Sequence, residues 1–141
     1  MTSFALLFTL SCIGIAETLH LIRMRRAIER RVAAGDEVHS RVLMSRYNTL
    51  LPGIHNDILG LVFYVTSALL TALLFMQEGP LEWIYATTMG AVGAAVFMSL
   101  VFVYLMWRVI RYWCVWCLMS AFITFVMGFI VLTAELLPAI V

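Results

Sequence analysis

The chain has 141 residues, 64% of them hydrophobic and only 12% charged, with a net charge of +1. An ordinary soluble domain, with about half its residues apolar and about a quarter charged, is excluded by those proportions. So near-neutral a balance offers nothing to a nucleic acid, and no nucleic-acid partner is expected; the partner implied first is a lipid bilayer.

Crossing ~30 Å of hydrocarbon takes roughly 20 mostly apolar residues in a helix. Four stretches are long enough: Phe4 to Ile22, Ile58 to Met76, Leu81 to Trp107 and Trp113 to Leu137. Hydrocarbon offers backbone groups no water, so each stretch is predicted to be an α-helix that closes its own hydrogen bonds. The expected fold is an all-α membrane protein, a four-transmembrane-helix bundle forming a single domain over residues 1–141. The first stretch has no basic start and no small-residue cleavage site, and it runs through Glu17, Thr18 and His20 into arginines, so it reads as a retained helix. Cys12, in its middle and without a partner at motif spacing, reads as a buried small hydrophobe.

A single long connection, Arg23 to Gly53, follows. Arg23, Arg26 and Arg30 recur at helical spacing, which extends the first helix past the headgroups with a solvated, phosphate-contacting face. Farther on, Val42, Leu43, Tyr47, Leu50 and Leu51 stand among Ser, Arg and Asn. That pattern suits a short amphipathic lid helix lying over the bundle, broken by Pro52 and Gly53. All nine basic residues are arginine. Seven lie between Arg23 and Arg46, and Arg108 and Arg111 lie between the third and fourth stretches. The other side of the bundle carries only acidic side chains, among them Glu78 and Glu82. The positive-inside rule therefore expects the long loop and the head of the fourth helix to face the cytoplasm.

The fourth stretch begins RYWCVWCLMSAF, with Cys114 and Cys117 three residues apart. Such side chains share one helix face, so they can form a disulfide or hold one ligand together. Unsatisfied amides at a helix start, with Arg108 and Arg111 nearby, favour a thiolate there. Three readings stand: a redox pair, two metal ligands joined by His39 and His55 for zinc or copper, or two packing residues of a structural bundle. The redox reading requires a second electron carrier, and in a bilayer that is a quinone. An apolar, aromatic pocket with a few hydrogen-bond donors would hold it. Candidates are Asn56, Ser45 and Arg46 as polar contacts and Phe63, Tyr64, Trp113 and Trp116 as walls. Asn56 as a helix cap and the tryptophans as interfacial belt residues are the plainer alternatives.

Three segments in order, SRVLMSRY (40–47), GIHNDILGLVFY (53–64) and CVWCLMSAF (114–122), resemble the vitamin K epoxide reductase family over about two-thirds of the chain. The resemblance implies a four-helix bundle around a quinone of the ubiquinone or menaquinone type, with a half-helix lid. It implies a quinone-dependent thiol–disulfide oxidoreductase in which Cys117 faces the quinone and Cys114 exchanges with a thioredoxin-like or other dithiol protein. Ser45 and Asn56 fall where the family places polar contacts to the quinone. Family members commonly carry a second cysteine pair in the loop; this loop has none, and His39 occupies the position of the nearer one, where it is a candidate for proton transfer. His55 stands where many relatives have proline, and Ala121 where some have tyrosine. The resemblance also implies an active end on the extracytoplasmic side, opposite to the vote of the arginines.

Overall fold

A computed structural model of the chain describes residues 2–35, 46, 49–51, 53–76 and 80–140. Its four helices are α1 (Thr2–Ala33), α2 (Asn56–Met76), α3 (Leu81–Leu105) and α4 (Val115–Ile140). All four are long and apolar enough to cross a membrane, as the composition predicts. They pack as an up-and-down ring, with α1 most extensively on α2, α3 on α4, and α1–α4 and α2–α3 closing the circuit. At 1.5 Å per residue, the 32 residues of α1 span ~48 Å, well beyond the hydrocarbon, so the last turns carry Arg23, Arg26 and Arg30 out of it.

Small residues let the helices approach. A Cβ on Gly14 of α1 would meet the Tyr64 ring of α2 at 2.5 Å, and one on Gly128 of α4 would meet Val96 of α3 at 2.6 Å. The core between them is Leu7, Tyr64, Val92, Ile123 and Met127. Large apolar side chains such as Leu6, Leu69, Phe97 and Leu132 point outward instead. Cys12 belongs with that outer set: it is exposed, not packed inside as its apolar surroundings suggested. The outer face of a membrane bundle meets lipid as apolar as the core, so hydrophobicity around a residue does not say which way it points.

At the arginine-bearing end, α1 and α2 are tied by a buried ion pair. Arg25 Nε lies 2.7 Å from Asp57 Oδ2, and its Nη1 lies 2.7 Å from Glu29 Oε1. Between these helices two short strands, β1 (Thr49–Leu51) and β2 (Ile54–His55), pair antiparallel with Thr49 opposite His55 and Leu51 opposite Ile54. The end of the expected lid helix, at Leu50 and Leu51, is therefore extended chain; Leu51 precedes Pro52, whose ring disfavours the helical region there. Val42, Leu43 and Tyr47 of that expected helix lie outside the described residues, as do Ser45 and His39; Arg46 is described and exposed.

Candidate functional site

At its end α3 widens into a π-helical turn, Met106–Ile110, and Arg111 then takes a left-handed conformation with φ 54°. That reversal delivers the chain through Tyr112 and Trp113 to the start of α4. Cys114 caps the helix. Its carbonyl accepts the Leu118 N–H at 3.0 Å, and its sulfur accepts the Cys117 N–H at 3.4 Å, the place an N-cap oxygen usually fills. The two thiols are free, and the Cys117 S–H donates to Cys114 Sγ across 2.8 Å. That leaves ~0.8 Å to the covalent distance of a disulfide. The hydrogen bond from Cys117, helped by the Cys117 and Trp116 amides and opposed by burial, lowers the Cys114 thiol from its ordinary value to about 6. The pair is thus set out as a thiolate accepting from a thiol.

Cys117 also borders a cavity of about 370 Å³ lined by residues of all four helices. Ala91, Ala94 and Ala95 of α3 give it width, Phe63 of α2 and Met106 of the π-helical turn give it apolar walls, and Thr18, Asn56, Asp57, Ser99, Ser120 and Thr124 supply the polar groups. The volume lies within the range of small-molecule sites, and mostly apolar walls with a few hydrogen-bonding groups suit a flat ring bearing two carbonyls. A quinone therefore fits the residues present. Tyr64 borders the cavity with its ring and is otherwise a strap between α2 and α4. Its hydroxyl donates to the Ser120 carbonyl at 3.0 Å and stands 3.0 Å from Thr124 Oγ1.

Of the residues singled out from the sequence, Cys114, Cys117, Asn56 and Tyr64 come together here. Trp116 does not line the cavity; it is half-exposed, with its ring 4.5 Å from that of His20 on α1. Trp113 is exposed on the connection before α4. Among the described residues, no three His, Cys, Asp or Glu side chains gather as a metal would require. Sequence reasoning missed the Arg25–Asp57 pair and Glu17. Glu17 is buried in α1 at 6% exposure with neither carboxylate oxygen hydrogen-bonded among the described residues. The signal was present: an acidic residue inside an apolar span is costly and calls for a reason.

Fold and site define an integral, multi-pass membrane protein with paired thiols at the lip of an apolar cavity. The family model for the vitamin K epoxide reductase family matches residues 5–132, and the chain belongs to that family. Membership makes it, in general terms, a membrane oxidoreductase of the quinone- and thiol-linked kind. No curated protein and no solved structure matches the chain.

Proposed function

We propose that this protein is a thiol–disulfide oxidoreductase that exchanges electrons between external dithiols and a quinone of the ubiquinone or menaquinone type, through Cys114 and Cys117. The observation that carries the reading is the double position of Cys117, which borders the cavity while its sulfur stands 2.8 Å from that of Cys114. A bound quinone supplies a two-electron, two-proton acceptor. Cys114, at the helix start and acidified by its neighbours, closes on Cys117 to form the disulfide, and the electron pair leaves on the cavity side. A dithiol protein of the thioredoxin-like kind then attacks Cys114, passes through a mixed disulfide and restores the reduced pair. Asn56 and Ser45 are assigned to orient and polarise the carbonyl oxygens, and the Tyr64 ring to shape the wall. Trp116, resting on His20, covers the α1 side of the pair. His39 is assigned to proton exchange with the outside. The arginines of α1 and of the α3–α4 connection support a cytoplasmic position for this end.

The test uses the purified full chain in lipid nanodiscs with a short-tail benzoquinone and dithiothreitol. Cys117→Ala and Cys114→Ala each abolish turnover, and quinone binding is altered in Cys117→Ala far more than in Cys114→Ala. Turnover that survives replacement of both cysteines overturns the reading.

A further inference from the structure

Reducing a quinone takes two electrons and two protons. A pair poised as one thiolate and one thiol brings both electrons and a single proton, the one on Cys117. The second proton has to come from elsewhere, and a protonated side chain beside the pair can deliver it without waiting for a water to enter a mostly apolar pocket.

Among the described residues, Glu17 is a buried acid that the cycle has not yet used. Its carboxyl is buried at 6% exposure and unpartnered among the described residues, and it comes up to the Ser120 backbone without a hydrogen bond of proper geometry. It stands within electrostatic reach of Cys114, Cys117 and Tyr64. The contact of His20, one turn along α1, with Trp116 between the two cysteines pins this stretch of α1 to the first turn of α4. Among the described ionisable groups at this end, Asp57 of α2 and Arg25 of α1 neutralise each other, the Tyr64 hydroxyl donates to Ser120, and His20 is exposed. His55 also has a buried Nδ1 without a partner among the described residues, but it sits in β2 before α2, whereas Glu17 is the carboxyl that interacts electrostatically with both thiols. An unpaired carboxyl in an apolar span costs stability and persists where it moves a proton or an ion.

We propose that Glu17 holds the second proton of the cycle and exchanges it in step with the Cys114–Cys117 pair. The proposal rests on the thiol–quinone reading above. In the reduced state Cys114 is a thiolate, Cys117 a thiol and Glu17 a carboxylic acid. Two negative charges do not share this buried volume, so the proton stays on Glu17 while Cys114 is charged. On oxidation the S–S bond forms, the Cys117 S–H and Glu17 O–H bonds break, and two electrons and two protons pass to the acceptor. The protein is left with a disulfide and a Glu17 carboxylate; its net charge is unchanged by the step. An external dithiol then gives two electrons to the disulfide and becomes a disulfide itself, and its two protons return to Cys117 and Glu17.

The test has a readout that needs no quinone. Full-chain protein in nanodiscs is reduced and then oxidised with diamide, and the infrared difference spectrum is recorded. The wild type is expected to lose one protonated-carboxyl band on disulfide closure; the band is missing in Glu17→Gln and shifted in Glu17→Asp. A wild-type spectrum with no carboxyl change, or the same band in Glu17→Gln, overturns the proposal. In parallel, benzoquinone-dependent turnover in Glu17→Gln is expected to fall by at least ~100-fold near neutral pH, the scale of a lost proton donor, while Cys114 is still alkylated in full yield. Glu17→Gln turnover at the wild-type rate overturns the proposal as well. If Glu17→Gln does not fold, the band shift in Glu17→Asp decides the matter. A wild type that lacks turnover sinks the quinone reading alone, since the infrared measurement still judges Glu17.

Discussion

Cys114 and Cys117 differ in what surrounds each sulfur. Cys114 caps the helix and receives the Cys117 S–H, whereas Cys117 borders the cavity. With its thiol lowered to about 6, Cys114 loses its proton as pH rises through that value. Its alkylation rate in the reduced protein should climb through about pH 6 and level off by about pH 7, where an ordinary thiol of pKa about 8.5 would still be climbing. Cys117→Ala removes the donor and should move the midpoint upward; a midpoint unchanged by that substitution would refute the hydrogen-bond cause. Gly14 poses a steric question. Tyr64 is 1% exposed, and its ring occupies the space of a Gly14 side chain. Gly14→Ala should overpack this contact and cost about 1–3 kcal/mol, read as a lower thermal unfolding midpoint in detergent. Because Tyr64 borders the cavity, quinone affinity should fall with it.

Between elements, the strongest specific tie is the Arg25–Asp57 pair, with both side chains buried. Arg25→Ala leaves the buried Asp57 charge alone and should cost about 3–5 kcal/mol, whereas Asp57→Ala should cost less because Arg25 keeps Glu29. The double variant Arg25→Met/Asp57→Leu should recover most of that loss, and strictly additive losses in thermal unfolding would refute the pairing. Neither this tie nor Glu17 was read from the sequence, although the four spans were. A span announces itself by an unbroken apolar run, which requires no knowledge of its neighbours. Which residue of one helix meets which of another depends on rotation about the helix axis, and lipid and core reward the same apolar side chains. Cys12 was assigned inward for that reason and faces outward. Trp116 was assigned to the cavity on proximity to the cysteines, yet side chains at adjacent helix positions diverge by about 100°, and it meets His20 instead. Cys114 and Cys117 were legible because i and i+3 share a face whatever the helix packs against.

For the molecule as a whole, the ends of the bundle differ in charge. Arg23, Arg25, Arg26, Arg30 and Arg31 on α1 and Arg108 and Arg111 before α4 gather at the end that carries the thiols. A membrane-impermeant maleimide should label Cys114 in inverted vesicles and leave it unlabelled in intact cells. Labelling from outside would reverse the orientation and put the thiols in the compartment where disulfides persist. The sulfur proposed to exchange with dithiols also accepts the Cys117 N–H in the first turn of its own span. On the proposed cycle, each closure of the bridge would turn an anionic acceptor over that turn into a neutral one, and the dithiol partner would meet two versions of the same surface, one gripping that amide and one offering it.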